Sequence, residues 1–370
     1  MKRLLFTLLF ATLCSPAYAQ LGGLLHKAQQ VQEARKTLDD LNVTEAEEIQ
    51  IGQQVSARIR ERFGVVQDPA VTRYVTLVGM MVAKQSSRPD LPWTFIVLDT
   101  DGVNAFAAPG GIVHITRGAL GLIHNEAELA GVLAHEVTHV AHKHAVNQIR
   151  KDKLVTLGTH EALKDRSQLL TLVTDKAYSL VLDNAFSRSD ELDADKGGVE
   201  LAGAAGYAPG ALADFLVRLD ERNSDSPAAN GLFASHPDTR ARIDAIHALA
   251  GTRTGAIVEV RYTSHVAYKP TPLTQIATVV DGSAGLAASS GSAKKDDKKA
   301  DEPAPKKKKG FGLGNLTAAV APESQSAQVT ASGGARGVGP DRAAKGGPNP
   351  APVVVKVTAA EIAAFKAGIR

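Results

Sequence analysis

The chain has almost no cysteine. Cys14 is the single cysteine among its 370 residues, and it lies in an apolar stretch near the N-terminus. The residue before it is Leu13, which is a poor fit to the signal of a bacterial lipoprotein. Because one cysteine has no partner within the chain, the sequence excludes a disulfide framework.

Long hydrophobic runs are missing after the first twenty residues, MKRLLFTLLFATLCSPAYAQ. That stretch begins with basic residues, continues with an apolar run and ends in Ala17-Tyr18-Ala19, a small-x-small cleavage site. The apolar run is about half as long as a membrane span requires, which argues against an anchor. We therefore expect residues 1–19 to be a signal peptide. The mature chain should have no transmembrane segment and should be a soluble protein of the periplasm.

Aromatic residues make up only 5% of the chain, and the Lys-rich run 294–309 has none. The formal net charge of +3 combines an acidic body with a basic tail. From about Gly282 the composition changes to Gly, Ala, Ser, Pro and Lys, which cannot bury enough apolar surface to offset the entropy of ordering. We expect residues 286–350 to be a disordered, solvated linker. The alternative is a weak contact between this basic tail and an anionic envelope surface. Nucleic acid is not an expected partner.

Apolar residues at helical spacing are present along most of the remaining chain, which is 44% hydrophobic overall and can build a large core. They predict single helices at 20–43, 44–62, 70–85, 126–145 and 236–249, and two or more helices within 150–222 that are broken near Gly203–Pro209. Short strands are expected at 94–99 and 112–116, separated by the turn signal NAFAAPGG at 104–111. The expected fold is α+β and predominantly helical, with a small sheet beside helix 126–145.

The expected organisation has one main domain. An N-terminal helix at 20–43 precedes a domain at 44–250, which is followed by a short extension at 251–285 that holds one or two short strands. After the linker, residues 351–370 form a C-terminal segment with a short helix, because Thr358-x-x-Glu361 is a capping box.

The stretch LAGVLAHEVTHVAHKH (129–144) places four of the 11 histidines of the chain in an apolar helix. His135 and His139 lie about one turn apart on one face, where both can bind one metal ion. Glu136 is rotated by about 100° from His135, which places it beside the metal as a base that takes a proton from the attacking water. The alternative is a surface helix with two stray histidines, but the apolar neighbours indicate a buried helix, in which imidazoles need partners.

The other two histidines have less favourable positions. His142 shares the face of His135 but lies about 10 Å further along the helix axis, so that both cannot bind one ion. His144 points to the opposite side. We expect both to be structural or solvent-facing near the C-terminus of the helix, where imidazolium is mildly favoured.

A catalytic zinc site needs a third protein ligand. The segment SRSDELDAD (187–195) offers Glu191 and Asp195, which are four residues apart and therefore on one face of a second helix. One carboxylate can bind the metal while the other accepts the free N–H of a ligand histidine. The alternative is that these acidic residues only complement the helix dipole. Asp193 falls on the far side of this helix, and we expect it to be solvated.

Four motifs in this order resemble peptidase family M48 between about Thr44 and Ala250. They are NAFAAPGG, NEAELAGVLAHEVTHVAHKH, SRSDELDAD and SHPDTRARI. The resemblance implies a gluzincin-type metallopeptidase domain with one Zn²⁺ per chain. The absence of transmembrane segments makes the chain similar to the soluble periplasmic members, which are associated with quality control of outer-membrane proteins.

The resemblance also assigns roles to individual residues. The ligands of zinc would be His135, His139 and Glu191, with Glu136 as the general base. Asp195 matches the aspartate of the family's E-x-x-x-D motif. Thr138 departs from the pattern, because a smaller residue is commoner there, but this change should not affect metal binding.

His236 has three interpretations. It is a helix-entry residue before Pro237, or it stabilises an oxyanion on the zinc side, or it occupies the fourth zinc position and keeps the enzyme latent. The family pattern H-P-x-x-x-x-R-I also includes Arg242, which is a second candidate for the oxyanion role.

The expected function is hydrolysis of unfolded or misassembled proteins by an exported zinc endopeptidase. Its expected partners include outer-membrane proteins or their assembly machinery. An edge strand at NAFAAPGG-IVHIT, beside the active-site helix, would bind an extended peptide through main-chain groups. The alternative is that Pro109-Gly110-Gly111 is only a tight turn. The alternative function is that of a chaperone-like factor with a latent zinc site, which binds unfolded outer-membrane proteins with little proteolysis.

Overall fold

The computed structural model describes residues 42–156, 166–182, 186–223, 239–272, 277–278, 330–331 and 349–369. The predicted signal peptide and nearly all of the predicted helix at 20–43 lie outside these ranges. The same holds for most of the predicted linker at 286–350 and for His236.

The described part of the chain is mostly helical, as the sequence predicts. Its helices are α1 (Glu45–Phe63), α2 (Pro69–Ala83), α3 (Arg117–Leu122), α4 (Glu126–Ala141), α5 (His144–Thr156), α6 (Arg166–Leu182), α7 (Arg188–Ala205), α8 (Ala211–Asn223), α9 (Thr239–Ala250), α10 (Glu259–His265) and α11 (Ala359–Ala367). Within the described ranges, no helix is both long and apolar enough to cross a bilayer.

The strands form one small mixed sheet and one short pair. They are β1 (Thr94–Leu98), β2 (Ala105–Ala108), β3 (Ile112–Thr116), β4 (Ala277–Thr278) and β5 (Thr330–Ala331). In the three-stranded sheet the order is β1-β3-β2, with β1 parallel and β2 antiparallel to β3. The pair β4-β5 is antiparallel.

The three-stranded sheet separates two hydrophobic clusters. Because side chains alternate along a strand, Phe95 and Val97 of β1 join one cluster, which includes α2, α4, α7 and α8. Ile96 and Leu98 join the other, which includes α1, α5 and α6. The sheet therefore lies between two helical layers, and α4 crosses one of its faces.

Side-chain caps define where the helices around the site begin. The capping box of α1 is formed by Thr44 and Glu47, whose side chains each accept a hydrogen bond from the backbone of the other. Asn125 accepts a hydrogen bond from the backbone of Glu128 at the start of α4. Ser187 caps α7 in the same way. These caps satisfy backbone donors that helix geometry leaves unpaired.

Three elements differ from the sequence-based expectation. The turn signal at 104–111 contains the strand β2, and the turn is confined to the residues after Ala108. The predicted extension contains the helix at residues 259–265, which the sequence does not predict, besides the short strand β4 at Ala277–Thr278. The helix predicted at 126–145 ends at Ala141, because Lys143 has a φ of 57°, in the left-handed region, and a new helix begins at His144.

The position of β2 also changes the peptide-binding hypothesis. The strand at 112–116 is the central strand β3, so it has no open edge. The edge strands are β1 and β2, in which four of five and all four residues are buried, respectively. Pairing of a peptide with an edge strand of this sheet stays a prediction.

The C-terminal segment packs against the domain. The backbone N–H of Val65 donates a hydrogen bond to the carbonyl of Asn349. Arg261 lies over the ring of Phe365, with 4.0 Å between its guanidinium carbon and the ring centroid. Thr358 and Glu361 form the capping box of α11.

Candidate metal centre

The HExxH motif, His135 to His139, lies in helix α4. Every residue of this helix is buried. The Nε2 atoms of His135 and His139 are 3.1 Å apart. This arrangement follows from helix geometry, since residues four apart project from the same face. Glu136 follows His135 directly and is 1% exposed.

Glu191 of α7 faces the same two histidines. Its Oε2 atom lies 3.6 Å from His135 Nε2, and its Oε1 atom lies 3.5 Å from His139 Nε2. In a tetrahedral zinc site with ligands at about 2.0–2.1 Å, neighbouring ligand atoms are about 3.3–3.4 Å apart. The three side chains therefore have the chemistry and the spacing of a metal-binding triad.

Two glycines let α7 approach α4 closely. A Cβ atom at Gly197 would lie 2.4 Å from Cγ2 of Thr138, and one at Gly198 would lie 3.3 Å from the backbone nitrogen of His135. Gly197 provides the space for the side chain of Thr138. The close approach brings Glu191 to the metal face of α4.

Asp195 lies one turn after Glu191 and contacts Nδ1 of His135, the ring nitrogen that is not part of the triad. Its Oδ1 atom is 3.0 Å from His135 Nδ1. Burial alone would raise the pKa of Asp195, but hydrogen bonds from Arg242 and His135 outweigh it and lower this pKa from 3.8 to about 2. Asp195 is therefore an ionised acceptor that orients the ring of His135.

Arg242 of α9 connects both carboxylates of α7. Its Nε and Nη2 atoms donate to the two oxygens of Asp195 at 2.8 and 2.7 Å, and its Nη1 atom is 3.0 Å from Glu191 Oε2. The sequence motif had suggested Arg242 as an oxyanion stabiliser. That role stays a prediction, and in the structure this buried guanidinium contacts Asp195 and Glu191.

Nδ1 of His139, the ring nitrogen that is not near Glu191, also has a partner. The sequence does not predict this contact. This Nδ1 atom is 2.9 Å from Nδ1 of His144, and Nε2 of His144 is 3.0 Å from Asp193 Oδ2. The same oxygen is 2.5 Å from Nδ1 of His142. His144 is buried, and burial lowers its pKa. The sequence predicts that Asp193 is solvated. Its side chain is about half exposed, but it contacts both histidines.

The break after α4 explains this difference from the sequence-based expectation. On a continuous helix, His144 would point away from His139. The left-handed residue Lys143 turns the chain and brings His144 back beside His139. No periodicity in the sequence marks this turn.

Known proteins share this region of the chain. The model of peptidase family M48 matches residues 69–250, which include every residue of the triad. The β-barrel assembly-enhancing protease of Escherichia coli (strain K12) is 25% identical over 231 residues, which cover 57% of this chain and 46% of that protein.

Two further relatives match this chain at a somewhat higher identity. The mitochondrial metalloendopeptidase OMA1 of Schizosaccharomyces pombe is 30% identical over 175 residues, covering 46% of this chain and 51% of that protein. A protease HtpX homolog of Acidiphilium cryptum is 30% identical over 207 residues, covering 48% of this chain and 69% of that protein. The chain spans about half the length of the first two relatives.

Proposed function

Because this chain belongs to peptidase family M48, we propose that it is a zinc-dependent endopeptidase with one Zn²⁺ held by His135, His139 and Glu191. The observation that supports this proposal best is how closely the ligand atoms lie: the two histidine Nε2 atoms are 3.1 Å apart, and each lies 3.5 or 3.6 Å from an oxygen of Glu191. Two imidazoles and one carboxylate are a ligand set of catalytic zinc, which leaves a position open for water.

Each side chain of the centre has a role in peptide hydrolysis. Zinc, when bound, supplies a Lewis acid that polarises the peptide carbonyl and makes water a stronger acid. Glu136 accepts the proton of the attacking water and delivers it to the leaving amine. Asp195 fixes the ring of His135 through Nδ1, and Arg242 fixes Asp195 and Glu191. His236 keeps its three alternatives: fourth ligand, oxyanion stabiliser or helix-entry residue.

The relatives and the N-terminal sequence support a proposal for the substrate and the location. The Escherichia coli relative is named for enhancing β-barrel assembly. We therefore propose unfolded or misassembled outer-membrane proteins as substrates and their assembly machinery as a partner. The signal-like residues 1–19 support export to the periplasm.

A proteolysis assay with the full mature chain tests the proposal. An unfolded porin or casein should be cleaved by the zinc-loaded protein, cleavage should stop with a chelator, and added zinc should restore it. Glu136→Gln should retain one zinc per chain and lose hydrolysis, because the amide cannot accept the proton. Hydrolysis that persists in Glu136→Gln or in excess chelator would refute the zinc mechanism.

A second candidate function is supported by the burial of the centre. His135, Glu136, His139 and Glu191 are each at most 3% exposed. A substrate carbonyl reaches such a centre only after a local rearrangement. A latent site with chaperone-like binding of unfolded outer-membrane proteins is compatible with this closed state. Binding of the unfolded porin without cleavage, in the presence of zinc, would favour this second function.

A further inference from the structure

His144 is a buried histidine that contacts the proposed metal centre without being one of its ligands. It is the first residue of α5 and is 6% exposed. Its two ring nitrogens have different neighbours. Nδ1 lies 2.9 Å from Nδ1 of His139, and Nε2 lies 3.0 Å from Oδ2 of Asp193. The ring therefore lies between a proposed zinc ligand and a carboxylate.

The chemistry of imidazole allows one arrangement of protons along this chain of contacts. If Nε2 of His139 binds the metal, its Nδ1 atom carries a hydrogen and is a donor. Nδ1 of His144 must then be an acceptor without a hydrogen. Neutral His144 consequently carries its hydrogen on Nε2, which donates to Asp193. Along these contacts every hydrogen-bond donor faces an acceptor.

We propose that His144 and Asp193 are positioning residues of the metal centre, which hold His139 as Asp195 holds His135. This inference rests on the proposed zinc site and goes beyond its ligand set. The two histidines differ in how their outer nitrogens reach a carboxylate. His135 contacts Asp195 directly at 3.0 Å, whereas His139 reaches Asp193 through the ring of His144.

The local backbone supports this role. Lys143 has a φ of 57°, a conformation that non-glycine residues rarely adopt, and it separates His142 from His144. Residues held in such conformations occur preferentially at functional sites. Here the turn brings both histidines to the same oxygen of Asp193, at 2.5 Å for His142 and 3.0 Å for His144. His142 thereby helps to fix the carboxylate.

Zinc affinity measured by chelator competition on the full mature chain tests the role of His144. Loss of an outer partner typically lowers metal affinity about 10–100-fold. His144→Leu should show such a loss, whereas His144→Gln should stay within roughly threefold of the wild type, since its amide offers one acceptor and one donor at a similar separation. The matched control is His124→Leu, at an exposed histidine.

Asp193 is tested in the same assay with a control on the same helix. Asp193→Ala should lower zinc affinity at least severalfold, and Glu200→Ala, which removes an exposed carboxylate of α7, should not. Nitrogen-15 NMR of the zinc-loaded protein should show His144 neutral with its hydrogen on Nε2. The position of this hydrogen reports the proposed contacts, and a purely structural role of His144 would not require it.

The outcomes separate this inference from the proposed function. A wild-type chain that binds no zinc would refute the metal centre itself. A wild type that binds one zinc, together with His144→Leu and Asp193→Ala of unchanged affinity, would refute only the positioning role. A hydrogen on Nδ1 of His144 would also refute it. So would a second zinc per chain that disappears in Asp193→Ala, because Asp193 would then be a ligand.

Discussion

Removing the guanidinium of Arg242 should destabilise the metal-free protein strongly. Arg242 is 2% exposed and donates two hydrogen bonds to Asp195, which is 0% exposed. It also contacts Glu191, which is 1% exposed. Breaking a buried ion pair by removing one partner costs about 3–5 kcal/mol, because a buried charge loses its compensation.

The size of the effect can be compared with a control two residues away on α9. Arg240 is 85% exposed and forms an ion pair with Asp220 at 3.1 Å. Such a pair contributes about 0–1 kcal/mol. For a domain of 150–250 residues, 1 kcal/mol changes the melting temperature by about 2–4 °C. Arg242→Met should therefore lower Tm by roughly 6–20 °C, and Arg240→Met by less than about 4 °C.

The assay is thermal unfolding of the metal-free and the zinc-loaded chain. Bound zinc supplies a cation next to Glu191, so zinc should recover part of the loss in Arg242→Met. Arg242→Lys should be intermediate, since an ammonium keeps the charge but lacks the bidentate geometry. If Arg242→Met is no less stable than Arg240→Met without metal, the argument from the buried carboxylates is wrong.

Three further predictions concern other parts of the molecule. Gly197→Ala should weaken zinc binding, because its Cβ would lie 2.4 Å from Cγ2 of Thr138. Adding Thr138→Ala in a double variant should restore binding. Unchanged binding in Gly197→Ala would contradict this prediction. Burial lowers the pKa of His114 from 6.5 to about 3, so unfolding exposes a group that binds protons more tightly. Its contribution to the free energy of unfolding should fall as pH decreases from about 6.5 to about 3, by roughly 4–5 kcal/mol. Urea unfolding of the metal-free chain should show a shallower pH dependence for His114→Gln than for the wild type. His236→Ala should accelerate cleavage of unfolded substrate if this residue is a fourth zinc ligand that keeps the enzyme latent. It should slow cleavage by roughly a hundredfold if the residue stabilises the oxyanion. An unchanged rate with zinc retained would leave it a helix-entry residue.

Much of the local structure follows from the sequence by itself. Helix geometry determines that His135 and His139 share a face, because a spacing of four residues is close to one turn. Capping boxes mark the starts of α1 and α11 at Thr44 and Thr358, since their side chains satisfy backbone donors that the helix leaves unpaired. The run IVHIT after the turn residues Pro109-Gly110-Gly111 likewise predicts strand β3. These features depend on interactions within a few residues, which the order of amino acids specifies directly.

Other features were decided only by tertiary structure. The contacts of Glu191 with the histidines depend on the close packing of α7 on α4 at Gly197 and Gly198. The role of Arg242 depends on where α9 packs, since its partners are 47 and 51 residues earlier in the chain. Strand β2 pairs with β3 despite its turn-like sequence. The position of His144 depends on a left-handed turn at Lys143, an ordinary residue. Contacts between distant segments select these conformations, and local preferences do not encode such contacts.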